Sequence, residues 1–370
     1  MGNIYKMTRL RSITAITLIT TSICASAAEK LDWRTDCVGR MKISIPGDAD
    51  IAITPTKSVL EDSSSARFFF SDGVRAGYSW FSYGGNIKIS NQLSPSEISS
   101  FLKKADEFGA SAREDVLTRK YQRSEDPDNP FETIYANDGS KFAIRANLFF
   151  LVAIVVNNHA VTLMSSVDKD QISLETEILK KIVTNIGYRA NFTIPQRSGV
   201  CMPFLFVEDV ENEARLAGTT YRLKDHPDIT IFLEDRSAGR PGKYMRPEVF
   251  TAIYKSNYFW TQRYQDYDSI ENLLKFRRHN NIPFAGQRAV ESKVRMIRTD
   301  KITEDFGYLV VTQGNPDAKV DTPDLMLYVI RDAQEAIKRG IKPLPEKEFF
   351  KLARQIADSV KHRGAISSDK

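Results

Sequence analysis

Three cysteines and four histidines are the side chains of this sequence best suited to nucleophilic or metal chemistry. The histidines are scattered, and their spacing matches no zinc site: His159, His226, His279 and His362. The signatures Gly-x-Ser-x-Gly, Gly-x-x-x-x-Gly-Lys and His-Glu-x-x-His do not occur. We therefore predict no catalytic residue, no metal site and no cofactor, and keep a hydrolase with an unrecognised site as the weaker alternative.

Two polar clusters invite a functional interpretation and have a simpler one. His159 follows Asn157-Asn158 at a predicted turn, where a solvated turn residue is expected more often than a catalytic base. The acidic run from Glu208 to Glu213 matches no calcium loop. A solvated strand edge or an acidic binding face explains that run.

The amino terminus has the pattern of a secretory signal peptide over residues 1–28. Lys6, Arg9 and Arg11 precede the apolar stretch Ile13 to Ile23, and small residues follow it. The apolar stretch is shorter than a bilayer span, so a retained anchor is the weaker alternative. We expect cleavage after Ala27 or Ala28 and a mature chain in the periplasm.

Removal of this segment leaves Cys37 and Cys201 as the remaining cysteines. In an oxidising compartment an even cysteine count favours a disulfide. The alternative is two separately buried free thiols, because free cysteine is among the most buried residue types. We expect the two to pair.

Size and composition restrict the class of protein. A chain of 370 residues exceeds what one hydrophobic core usually fills, which favours two domains. With 52 Lys and Arg against 47 Asp and Glu, the charge is nearly balanced, and nucleic acid is not an expected partner. The longest apolar run after the amino terminus, Leu148 to Val156, fits a buried strand. No membrane span is predicted in the mature chain.

The first half contains clear helix and turn signals. Ser94, Pro95 and Glu97 form a capping pattern before apolar residues at helical spacing, which predicts a helix. The residues 157–159 join two apolar runs into a predicted hairpin. A second helix is predicted from Ser173, with Gly187 as its end.

Strands are predicted in the first half at 41–45, 67–70 and 78–89, before its first helix. The first half therefore has the order sheet, helix, sheet and helix, and the second half repeats it. Strands are predicted at 204–207, 219–223, 229–233, 290–297, 308–311 and 325–330. Helical material is predicted from Pro247 to Arg278, and a closing helix begins at Pro345. We predict an α+β protein of two tandem domains, 29–190 and 201–365, joined by a linker over 191–200. Their common order suggests a duplication, each domain having a mainly antiparallel sheet with packed helices.

The densest aromatic patch lies in the second half and has two interpretations. It comprises Tyr254, Tyr258, Phe259, Trp260, Arg263, Tyr264 and Tyr267. The helical spacing fits packing of these side chains in the core. The residue types also fit a protein interface, because Tyr, Trp and Arg are the usual anchors.

Short motifs in both halves resemble those of the periplasmic immunity proteins that neutralise type VI secretion phospholipase effectors. Cys37-Val38-Gly39-Arg40 followed by a short apolar strand ending at Pro46 matches the family's usual opening. Gly199-Val200-Cys201 and the acidic strand after it resemble the start of the second domain. Met202-Pro203 departs from the more glycine-rich turn expected there.

The resemblance implies a non-enzymatic protein of two α+β domains that binds a cognate secreted lipase in the periplasm. Its expected contact residues are the aromatic segment: Tyr258, Trp260, Arg263, Tyr264 and Tyr267. The alternative function is a periplasmic ligand-binding or envelope-complex protein, which composition alone leaves open.

Overall fold

The structure is a computed structural model that describes residues 32–60, 68–118, 127–209, 214–240, 246–263, 267–274, 278–318 and 322–364, without the side chains of residues 262 and 263. The predicted signal peptide over residues 1–28 lies outside the described residues, and so does Tyr264.

Strands dominate the described part of the chain. In chain order they are β1 Trp33–Val38, β2 Met41–Pro46, β3 Ala49–Ile51, β4 Phe68–Phe69, β5 Arg75–Ala76, β6 Trp80–Tyr83, β7 Asn86–Gln92, β8 Phe131–Tyr135, β9 Lys141–Ala146, β10 Phe149–Val156, β11 His159–Ser166, β12 Ile186–Tyr188, β13 Gly199–Met202, β14 Leu205–Glu208, β15 Arg215–Leu223, β16 Ile229–Arg236, β17 Tyr267–Asn272, β18 Asn280–Phe284, β19 Gln287–Arg298, β20 Glu304–Thr312, β21 Asp324–Arg331 and β22 Lys361–His362. The helices are α1 Pro95–Thr118, α2 Ile172–Asn185, α3 Ala252–Arg263, α4 Ala333–Lys338 and α5 Glu346–Ser359.

One large antiparallel sheet organises the described chain. Its main path runs β17-β19-β20-β21-β16-β15-β6-β7-β11-β10-β9-β8, with β18 also paired to β19 and β3 also paired to β15. The two halves meet where β6 pairs with β15, from Trp80↔Gly218 to Tyr83↔Arg215. The mixed fold with mainly antiparallel sheets agrees with the prediction. The linker over 191–200 and the duplication stay predictions, and β13 begins inside that segment at Gly199.

Alternating residues of the sheet pack against different layers. On β20, Tyr308 and Val310 belong to the largest core cluster, to which α5 contributes, whereas Leu309 and Val311 pack in the cluster that contains residues of α3. On β10 the same alternation places Leu151 in a third cluster, formed with α1. Because successive residues of a strand point to opposite faces, α1 and α3 cover one face of the sheet and α5 the other.

The strongest local predictions are confirmed. Helix α1 begins at Pro95, and the Glu97 carboxylate accepts a hydrogen bond from the Ser94 backbone N–H at 2.8 Å, as a capping box requires. Strands β10 and β11 form the predicted hairpin. Its turn residues Asn157 and Asn158 have φ values of 46° and 66°, a left-handed conformation that asparagine tolerates.

Two helix boundaries differ from the predictions. Helix α3 ends at Arg263, and the remainder of the segment predicted as helical up to Arg278 contains strand β17. Helix α2 ends at Asn185, and Gly187 lies in β12 rather than at a helix stop. In both places pairing with a neighbouring strand, β19 or β14, decides the backbone conformation.

The amino-terminal hairpin β1–β2 is fastened to the second half of the chain. Cys37 and Cys201 are joined by a disulfide in the structure, and Gly39 and Cys201 exchange two backbone hydrogen bonds of 2.8 Å. One residue before Cys37, the buried Asp36 carboxylate accepts hydrogen bonds from Arg189 at 2.7 Å and from Tyr221 at 3.0 Å.

Among the helices that the structure describes, none combines the length and the apolar composition that a membrane span requires.

Candidate functional site: a groove beside helix α3

A groove of about 900 Å³ lies on the face of the large sheet that α3 partly covers. Its floor includes side chains of β16 and β21, and its sides are formed by α3, the short turn before α3 and the segment 75–80. Strand alternation explains the floor, because Phe232, Glu234 and Arg236 all point to the same face of β16. The groove therefore combines residues from both halves of the chain.

Helix α3 divides the predicted aromatic segment between core and surface. Tyr254 and Tyr258 stand one turn apart with ring centroids separated by 6.3 Å, and they are 42% and 50% exposed. Both line the groove. Phe259 also lines it but is buried, in contact with the ring of Tyr78 at 5.8 Å. Exposed tyrosines above a floor of buried rings form an apolar surface with hydroxyl groups at its edge.

Trp260 lies in the core rather than on the predicted contact surface. It is 6% exposed, and its indole N–H donates a hydrogen bond to Ser292 Oγ at 2.8 Å. The ring fills the space above Gly307, where an added Cβ would lie 2.5 Å from the indole. This is the core alternative that the helical spacing left open.

Tyr267 also has a structural environment, on strand β17. Its hydroxyl donates a hydrogen bond to Asp305 Oδ2 at 2.7 Å, and the Arg298 guanidinium lies 5.3 Å from its ring centroid. Burial, reinforced by the neighbouring Asp305, raises the pKa of Tyr267. The structure does not bring Tyr267 to the groove, while the Arg263 side chain lies outside the described atoms.

Charged side chains of the groove are arranged in two ion pairs and one separate cation. Glu234 contacts Arg236 at 3.1 Å, and Lys255 contacts Asp324 at 2.7 Å. Burial raises the pKa of Glu234. Arg75 is exposed at the edge, and its side chain makes no hydrogen bond or ion pair with the described residues. Sequence reasoning missed these groups, because no local signal connects them.

The histidine at the β10–β11 turn is buried, in contrast to the solvated turn residue expected. The His159 ring stacks on Phe204 with centroids 4.2 Å apart, and its Nδ1 donates to the Ser90 carbonyl at 2.9 Å. Burial lowers the pKa of His159.

Within the described ranges, no group of three or more His, Cys, Asp and Glu side chains is placed to hold a metal ion.

Comparison with known proteins gives a likeness of fold. No protein-family model and no curated protein matches the sequence. The apo structure of TplEi, an immunity protein of the type VI secretion system (T6SS) of Pseudomonas aeruginosa, is 17% identical over 90% of this chain and 98% of that chain, with a TM-score of 0.57. TplEi in complex with an "L" peptide is 15% identical over 90% of this chain and 98% of that chain, with a TM-score of 0.56.

A third similar structure is the crystal structure of the Tle4–Tli4 complex, in which one chain is 17% identical over 90% of this chain and 97% of that chain, with a TM-score of 0.57. The resemblance expected from the short motifs is thus confirmed at the level of the fold. Nearly the whole chain shares its fold with the T6SS immunity protein TplEi.

Proposed function

We propose that this protein is an immunity protein that binds and inhibits a cognate phospholipase effector of a type VI secretion system in the periplasm. The observation that carries the proposal is the likeness of fold to TplEi, which extends over 90% of this chain rather than over a single common motif. The matching motifs around Cys37 and Cys201 support it, because in the structure these motifs meet at one disulfide.

Inhibition by binding, without catalysis, is the mode of action that we propose. The groove offers exposed tyrosines beside ion pairs, and aromatic anchors with satisfied charges around them are typical of protein interfaces. Of the predicted contact residues, we retain Tyr258 in that role and add Tyr254. The TplEi–peptide complex and the Tle4–Tli4 complex support a binding function for this fold.

The proposed location is the periplasm, reached through the signal peptide over residues 1–28. A disulfide between Cys37 and Cys201 supports an oxidising compartment, since such bonds are rare in the cytosol. The two-domain organisation of the mature chain belongs to the same proposal. It is supported by the similar order of elements in the two halves.

A periplasmic small-molecule carrier is the second candidate function. It is favoured by the groove volume of about 900 Å³, which lies within the range of ligand pockets. A carrier would retain a small ligand through purification and would not alter the activity of a lipase.

Protection and inhibition assays test the proposal together. A phospholipase effector, sought among the genes that neighbour this one, is directed to the periplasm of a sensitive host, with the full chain or with a variant lacking residues 2–28. We expect the full chain to protect the host and the leaderless variant to fail. Purified residues 29–370 should bind the effector and suppress its release of fatty acid. Phospholipid hydrolysis by the isolated protein, or full effector activity in its presence, would contradict the proposal.

A further inference from the structure

We propose that the groove receives an effector segment in which a carboxylate side chain adjoins an apolar or aromatic side chain, with the carboxylate paired to Arg75 and the apolar group against Tyr254 and Tyr258. The proposal rests on the proposed immunity function and specifies the chemistry of its partner.

The apolar half of the site is built from rings that are already held in place. Phe232 and Tyr328 stack beneath the groove with centroids 5.0 Å apart, and Tyr78 contacts both Phe232 and Phe259. Tyr254 and Tyr258 stand beside them on helix α3. Because tyrosine has few rotatable bonds, covering these exposed rings with a partner loses little side-chain entropy for the area that it buries.

The charged half of the site determines whether the partner's matching side chain is positive or negative. The lining residues that the structure describes supply three cations, Arg75, Arg236 and Lys255, and two anions, Glu234 and Asp324. Since Arg236 and Lys255 each contact one of these anions, Arg75 is, within the described part of the groove, the cation that remains for a partner. A partner that buries this guanidinium must also pair it, because an unpaired buried charge is strongly unfavourable. An Asp or Glu carboxylate matches the two parallel N–H donors of arginine.

A polypeptide fits the groove better than a lipid acyl chain. Glu234 and Asp324 lie on the floor, and Lys255 contacts Asp324 from α3. A hydrocarbon tail would remove water from these groups without replacing its hydrogen bonds. Backbone N–H and C=O groups of a peptide can satisfy the remaining acceptor and donor positions of these side chains. The cation at Arg75 and the polar side chains on the groove floor together favour a protein segment that carries both an acidic and an apolar side chain.

Binding measurements on single variants test the inference. Tyr258→Ala and Arg75→Glu should each weaken affinity for the purified effector by at least about 30-fold, the loss typical of a central anchor. The matched control is Arg288→Glu, because Arg288 is also an exposed strand arginine but does not line the groove. The control should bind as the wild type does, and all three variants should keep the wild-type melting temperature.

The identity of the occupant is tested by crosslinking and charge exchange. A photoreactive phenylalanine analogue at position 258 should capture an effector peptide that contains Asp or Glu beside an apolar residue. Changing that acidic residue to Lys should weaken binding to the wild type and restore binding to Arg75→Glu. Capture of a segment without a carboxylate, or no restoration, would contradict the inference.

The outcomes separate the two proposals. If the wild type inhibits the effector and both groove variants bind equally well, the groove inference is wrong while the immunity function stands. If the wild type neither binds nor inhibits the effector, both fail. Binding to vesicles containing phosphatidylglycerol that depends on Arg75, with effector affinity unchanged, would assign the groove to a lipid and overturn the inference.

Discussion

Trp260 and Tyr258 stand two residues apart on α3 and point to opposite sides of the helix, the first 6% exposed and the second 50% exposed. A helix advances 3.6 residues per turn, so residues separated by two positions lie on different faces. One aromatic segment therefore contributes both to the core and to the groove.

The first prediction separates these two roles by substitution. Trp260→Ala removes a large core side chain and its hydrogen bond to Ser292, and we expect a loss of about 3–5 kcal/mol in the free energy of unfolding. Tyr258→Ala should change that free energy by no more than about 0.5 kcal/mol. Urea denaturation of both purified variants provides the measurement. Equal losses of stability would show that Tyr258 is also a core residue.

The second prediction concerns the buried ion pair between Asp36 and Arg189. Replacing Asp36 with Ala leaves the Arg189 guanidinium buried, with backbone carbonyls as its remaining partners. We expect a loss of about 3–5 kcal/mol in unfolding free energy. The matched control is Glu107→Ala, which breaks the exposed pair with Lys103 and should change stability little. A similarly small effect of Asp36→Ala would show that the buried pair contributes little to the free energy of unfolding.

The third prediction concerns the Cys37–Cys201 disulfide, which spans a sequence separation of 164 residues. The double variant Cys37→Ser, Cys201→Ser should unfold with about 2–5 kcal/mol less free energy than the oxidised wild type. Wild-type protein unfolded in reductant should match the variant. Mass spectrometry of unreduced, alkylated residues 29–370 should find no modified cysteine, and two alkylated thiols would contradict the pairing.

The fourth prediction is a pH dependence caused by His159. Burial lowers the pKa of His159 below its ordinary value near 6.5, so the unfolded chain binds the proton more readily than the folded one. Stability contributed by the neutral ring is present above that value and is lost as pH falls through it. His159→Gln keeps a donor for the Ser90 carbonyl but cannot titrate. We expect the stability advantage of the wild type over this variant to shrink between pH 7.5 and pH 5, as measured by urea denaturation. A constant difference would contradict it.

Local signals predict most of the individual elements. The capping box at Ser94 and the turn at Asn157-Asn158 act within a few residues, so the sequence alone predicts α1 and the β10–β11 hairpin. The sequence does not predict strand β17, because it is a polar strand at the end of the sheet whose pairing partner among the described strands is β19. Its conformation depends on a neighbour that local periodicity does not reveal.

The groove depends on contacts between residues that are distant in the sequence. Arg75, Glu234 and Tyr258 share it because β6 pairs with β15 and α3 packs over β19 and β20. The aromatic segment is visible in the sequence, but its helical spacing does not show which side faces the core. The pairing of β6 with β15, which brings the two halves together, has no sequence signal of its own.

The three-stranded sheet β1–β2–β22 joins the first and last strands of the described chain, with Met41 opposite His362 and the Arg363 N–H bonded to the Arg40 carbonyl at 2.9 Å. Non-covalent contacts thus join the two ends of the described chain. Strand β2 cannot complete its pairing until residues 361–362 have emerged from the ribosome. Pairing between residues so distant in the sequence slows folding and leaves the hairpin β1–β2 incompletely paired during synthesis.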